Sequence, residues 1–141
     1  MQRHTTTRLL ASAGALLTLA GCETVAEETT EAIGFEYTAI LTAAAGGSGS
    51  GKAEVSLNDA TNMLCTDLEL SSNVRMTAGA ILGPGNTPVA DIDVPEGDTD
   101  SDDCDNVTDA QIDGIKANPG AYRVQINATT GNLSGPLVKE G

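Results

Sequence analysis

The sequence predicts an all-β domain, an antiparallel sandwich or barrel carrying one short helix. Three observations lead there. Apolar residues recur at every second position in short runs, glycine-rich turns separate the runs, and one stretch alone has helical spacing behind a capping residue. The pattern shows no alternation of strands with helices, which argues against a doubly wound nucleotide-binding fold.

Phe35, Tyr37, Ala39 and Leu41 alternate with Glu36, Thr38 and Ile40, the signature of a half-buried strand. Residues 46–51 are all glycine or serine and read as a flexible loop. Ala53, Val55 and Leu57 resume the alternation, and residues 58–62 form a turn whose Asn and Asp side chains bond nearby backbone. Leu64, Thr66, Leu68 and Leu70 give a third strand, with Cys65, Asp67 and Glu69 on its opposite face. Residues 74–82 are apolar-leaning, interrupted by Gly79 and stopped by Gly83-Pro84-Gly85-Asn86; residues 89–94 are short and extended, stopped by Pro95.

The helix is expected over 108–118. Thr108 caps it, Gln111 completes a capping box, and Ile112 and Ile115 share a face. Lys116 suits the negative end of the helix dipole, and Asn118-Pro119-Gly120 terminates it. Tyr122, Val124 and Ile126 return to period two, and Leu133 and Leu137 lie near a final strand punctuated by Gly131 and Gly135. With one Phe, two Tyr and no Trp, Leu, Val and Ile must carry the core.

The start of the chain has the three parts of an export signal. Arg3, His4 and Arg8 make a positive opening, residues 9–20 an apolar segment, and small residues precede a cysteine. That apolar segment of 12 residues is shorter than the roughly 20 needed to cross a bilayer as a helix. Leu19-Ala20-Gly21-Cys22 resembles the lipobox of bacterial lipoproteins, which implies acylation of Cys22, cleavage before it, and attachment to a membrane through lipid. Glu23, standing where Asp tends to mark inner-membrane retention, favours the outer membrane of a cell envelope. The expected organisation is a signal over 1–21, an acidic, Thr-rich tether over 22–32, and one domain over 33–141.

Removing the signal takes two of the seven basic residues and none of the 20 acids, moving the formal charge from −13 to −15. Such a surface repels nucleic acid and anionic headgroups, so a polyanionic partner is not expected. Cys65 and Cys104 are the two remaining thiols, and in an exported protein a disulfide is their simplest accounting. It would close a loop worth roughly 3–4 kcal/mol in chain entropy. The strand pattern places Cys65 away from the leucine face, where it would meet Cys104 on a covering loop. Zinc is not expected, because there is no closely spaced cysteine pair and His4 leaves with the signal.

Ten acids and no base lie between Asp91 and Asp113. Asp98, Asp100, Asp102, Asn106 and Asp109 fall at calcium-loop positions 1, 3, 5, 9 and 12, with the carbonyl of Cys104 at position 7. Asp103 occupies the place of the turn-making glycine, and Asp109 that of the longer Glu. Two readings follow, a solvated acidic loop and a weak calcium site. No Ser, Thr or Cys has an imidazole to activate it, so no catalytic residues are assigned and an enzyme is not expected.

The order of elements resembles the CHRD domain, a module named after chordin and also found in bacterial exported proteins. The opening strand from Phe35, Gly51-Lys52-Ala53 leading into the second strand, and residues 64–70 follow its layout. Ala78-Gly79-Ala80-Ile81-Leu82-Gly83-Pro84 stands where that family commonly has Ala-His-Ile-His, a variable residue and Gly-Pro. Tyr122 to Ile126 lies at its late Tyr-Val-Asn-Val-His strand, and Gly131-Asn132-Leu133-Ser134-Gly135-Pro136-Leu137 at its closing Gly-Glu-Ile-Arg-Gly-Gln-Leu. The resemblance implies an immunoglobulin-like or superoxide-dismutase-like β-sandwich. Gly79, Ile81 and Ile126 replace family histidines, so a copper or zinc centre is not implied for this chain. The expected function is a membrane-anchored structural or interaction module meeting envelope protein or glycan, and the alternative is a calcium-dependent binding module using 98–109.

Overall fold

The computed structural model describes residues 34–93, 95 and 98–141. The expected signal, the lipidation residue Cys22 and the tether lie outside the described residues. So does Val94, at the end of the extended stretch expected over 89–94.

The chain forms β1 (Gly34–Ala43), β2 (Ser50–Asn58), β3 (Met63–Leu70), β4 (Met76–Leu82), β5 (Pro88–Ile92), β6 (Asp100–Asn106), helix α1 (Asp109–Ala117), β7 (Arg123–Ala128), β8 (Leu133–Pro136) and β9 (Val138–Lys139). Every pairing is antiparallel, in the order β5-β4-β7-β8-β1-β2-β3-β6, with β9 added to β1. This is the expected all-β class, with sandwich-like packing. β5, β4, β7 and β8 make one half of a continuous sheet; β1, β2, β3 and β6 make the other.

The join between the halves is narrow. β1 pairs with β8 only through Thr42–Ser134 and Ala43–Leu133, then with β9 through Tyr37–Lys139 and Thr38–Val138. Between those pairs the chain passes so close to β1 that a Cβ on Gly135 would stand 2.0 Å from the main-chain oxygen of Ile40. Only a residue without a side chain fits there.

Alternation buries Tyr37, Ala39, Leu41, Val55, Leu57, Leu64 and Leu68 from the first half against Ile81, Val124, Ile126 and Leu133 from the second. Ile112 and Ile115 of α1 join the same core. Thr108 caps α1 as expected: Thr108 Oγ1 accepts from the Gln111 main-chain N–H at 3.2 Å, and Gln111 Oε1 accepts from the Thr108 N–H at 2.8 Å. In the β2–β3 turn, Asn58 Oδ1 accepts from the N–H groups of Ala60 and Thr61. The helix is tied back to that turn, since Lys116 Nζ lies 2.8 Å from Asp59 Oδ2 and 4.2 Å from the centre of the Phe35 ring.

Two segments depart from expectation: Ser50 and Gly51, read as part of the flexible loop over 46–51, are paired residues of β2, and the acidic segment is not a loop. Residues 98–109 were expected as a loop, yet Asp100–Asn106 is a strand lying along β3. The ladder extends at both ends, through Leu70 N–H to Thr99 O at 2.8 Å and Val107 N–H to Asn62 O at 2.9 Å. Asp and Asn disfavour strands as isolated residues, but pairing with a neighbour overrides that preference.

Candidate functional site

The strand conformation of residues 100–106 sorts the acidic segment into two sets. Ser101, Asp103 and Asp105 point to the inner side, opposite Leu68, Thr66 and Leu64. They close the gap between the two ends of the sheet. Asp105 Oδ2 accepts from the main-chain N–H of Asp91 at 2.9 Å, Asp103 Oδ2 from that of Asp93 at 3.0 Å, and Ser101 Oγ donates to the Asp93 carbonyl at 2.6 Å. Asp100, Asp102 and Cys104 point outward.

Register then builds the outer face of the first half in rows. One runs Glu36–Ser56–Cys65–Cys104, the next Thr38–Glu54–Asp67–Asp102, and the third Ile40–Lys52–Glu69–Asp100. Three carboxylates therefore lie side by side in the middle row, and Glu69 faces Asp100 in the row beside it. Like charges directly opposite each other destabilise a sheet. Lys52 bonds to Glu54, and that carboxylate holds the Lys52 ammonium above its ordinary range. Glu140 closes one side: its main-chain N–H donates to the Glu36 carbonyl at 3.0 Å, and its carboxylate accepts from the Thr38 hydroxyl. Glu36, Glu54, Cys65, Asp67, Asp102 and Glu140 line an open cavity of about 220 Å³ on this face. Ile40, in the third row, and Val138, paired with Thr38, are large exposed apolar side chains.

Cys65 and Cys104 form the expected disulfide, with Cα atoms 4.0 Å apart. The pairing is as expected; the setting is not. Cys104 sits on a strand directly opposite Cys65, and it is exposed while Cys65 is half-buried.

The calcium candidates are not brought together. Asp100, Asp102 and Asn106 are strung along one face of β6, and at the rise of a strand Asp100 and Asn106 stand about 20 Å apart. Asp98 precedes the strand and Asp109 opens α1. The carbonyl expected at position 7 belongs to Cys104, within the β3–β6 ladder. A calcium loop wraps its ligands around the ion, whereas an extended chain spreads them. Among the described residues no group of three or more His, Cys, Asp or Glu side chains is placed to hold a metal.

Sequence reasoning missed Glu54, Glu140, the facing of Asp67 by Asp102, and the inner-face role of Asp103 and Asp105. The alternation of Lys52 and Glu54, and of Asp67 and Glu69, was a usable sign that one whole face is acidic. Compared with known proteins, the chain matches no family model, no curated protein and no solved structure.

Proposed function

We propose that this chain is a lipid-anchored, extracytoplasmic interaction module of the CHRD type, without catalytic activity. Its binding surface is the outer face of β1, β2, β3 and β6. Cys22 carries the lipid, the following acidic stretch holds the domain clear of the membrane, and the cell envelope, at its outer membrane, is the setting. The partner is an envelope protein with a basic surface; the charge disfavours an anionic glycan.

The observation that carries this reading is the row of exposed carboxylates Glu54, Asp67 and Asp102 on one sheet face. Facing carboxylates weaken the fold, so their presence fits recognition better than stability. Ile40 and Val138 add exposed apolar side chains of the kind found beside polar contacts at interfaces.

The test places a photo-crosslinking residue at Ser56 on this face, and at Gln125 on the other half, in the full chain expressed in its own cells. Palmitate labelling runs alongside, with Cys22→Ser as control. The reading expects labelling that needs Cys22 and a protein adduct from position 56 alone. Unlabelled protein refutes the anchor, and adducts from position 125 alone refute the surface.

A further inference from the structure

The disulfide stands in the row beside those carboxylates, at the β6 end of the same face, and its place there has consequences beyond partner binding. Cys104 is exposed, and Cys65 lines the open cavity with Glu36, Glu54, Asp67 and Asp102. An exposed bridge is open to thiol–disulfide exchange in a way a buried one is not. The carboxylates repel an approaching thiolate that carries further negative charge and tolerate one set among positive charges. The bridge also joins two strands whose outward charges oppose each other at Asp67–Asp102 and Glu69–Asp100. Beyond the ladder, Ser101, Asp103 and Asp105 of β6 bond to the main chain of Asp91 and Asp93.

We infer that the Cys65–Cys104 bridge is a redox site selective for a dithiol reductant with a positively charged rim, and that its reduction loosens β6 from the sheet. One thiolate of the reductant attacks Sγ of Cys104, and the electron pair of the S–S bond leaves on Cys65, which takes a proton from water. The reductant's second thiol gives up its proton and attacks the mixed disulfide. Cys104 leaves as a thiolate and is protonated in turn. The reductant becomes a disulfide and the protein gains two electrons and two protons. With the covalent tie gone, charge repulsion between β3 and β6 acts against their ladder and the three side-chain hydrogen bonds to Asp91 and Asp93. This inference stands apart from the lipid anchor and from the partner proposed above.

The test uses the full chain carrying Cys22→Ser, so that thiol counting by alkylation and mass reports the bridge alone. Reduction is followed with glutathione, 2-mercaptoethanol and cysteamine, which are negative, neutral and positive, each corrected for its thiolate fraction. At about 0.01 M salt, where fields reach roughly 30 Å, cysteamine should outpace glutathione roughly tenfold. At about 1 M salt the rates should converge, and Asp67→Asn with Asp102→Asn should bring them together at low salt too. Equal rates at low salt, or one rate independent of thiol identity and concentration, overturn the selectivity and leave a purely structural bridge. Amide exchange of the reduced protein at low salt should rise about tenfold in β6 and at Asp91 and Asp93, with Val124 and Ile126 in β7 unchanged. Exchange that is unaltered in β6, or that rises equally in β7, overturns the local release.

Discussion

Asp105 takes the place of a neighbouring strand for Asp91, its Oδ2 accepting the Asp91 main-chain N–H at 2.9 Å. Asp103 does the same for Asp93 at 3.0 Å. A sheet with two ends presents two rows of unpaired backbone groups, which invite pairing with other chains. Here two carboxylates and a serine on β6 occupy that edge of β5, so the acids on the inner side of the strand are accounted for by the fold.

Removing one of these acceptors leaves a main-chain N–H to find water. Asp105→Ala should cost about 1 kcal/mol in a urea unfolding titration, and Asp103→Ala a similar amount. Exchange of the Asp91 and Asp93 amides should quicken in the same variants. Asp100→Ala, on the outer face, should leave both amides unchanged.

Gly135 is the point where the halves of the sheet meet. A methyl group there would meet the Ile40 oxygen at 2.0 Å, and main chain cannot swing aside as a side-chain tip can. Gly135→Ala should destabilise by about 3 kcal/mol, the upper end for overpacking. Gly34→Ala is the control: nothing lies within 4 Å of its added methyl, and its midpoint should not move.

The facing pair Asp67 and Asp102 makes stability depend on salt. Asp102→Asn should raise the melting temperature at low ionic strength, and the gain should vanish once salt screens the repulsion. A gain that persists in high salt would mean that packing, and not charge, is responsible.

The hydrogen bond to Lys116 lowers the Asp59 carboxyl below its ordinary value, and the same contact raises the Lys116 ammonium. A depressed carboxylate contributes stability above its unfolded pKa, and the contribution is lost as pH falls through the folded value. A raised ammonium contributes below its unfolded pKa and loses that contribution as pH rises through the folded value. The pair should therefore act across neutral pH and fade at both extremes. Asp59→Asn should flatten the acid side of the stability curve, measured by melting temperature against pH.

Much of this was legible in the chain. Period-two alternation marked β1, β2, β3 and β7, because one face of each is apolar. Thr108 and Gln111 marked α1, and the count of thiols gave the bridge. What was hidden depends on long-range register. Glu54, Asp67 and Asp102 come from three strands, and no local pattern says that they share a row. β6 was hidden for a different reason: its inner positions hold Ser101, Asp103 and Asp105, polar residues serving the seam, so no apolar alternation announced a strand. The same run supplied oxygen ligands at calcium-loop spacing, a spacing that loses its meaning once the chain is extended.

The outer acidic face is the surface proposed to meet a basic partner. Cross-linking from Ser56 in living cells should be compared between the unaltered chain and one carrying Asp67→Asn and Asp102→Asn. The account predicts an adduct with a basic envelope protein in the first and its loss in the second. The same adduct at the same yield in both would contradict it.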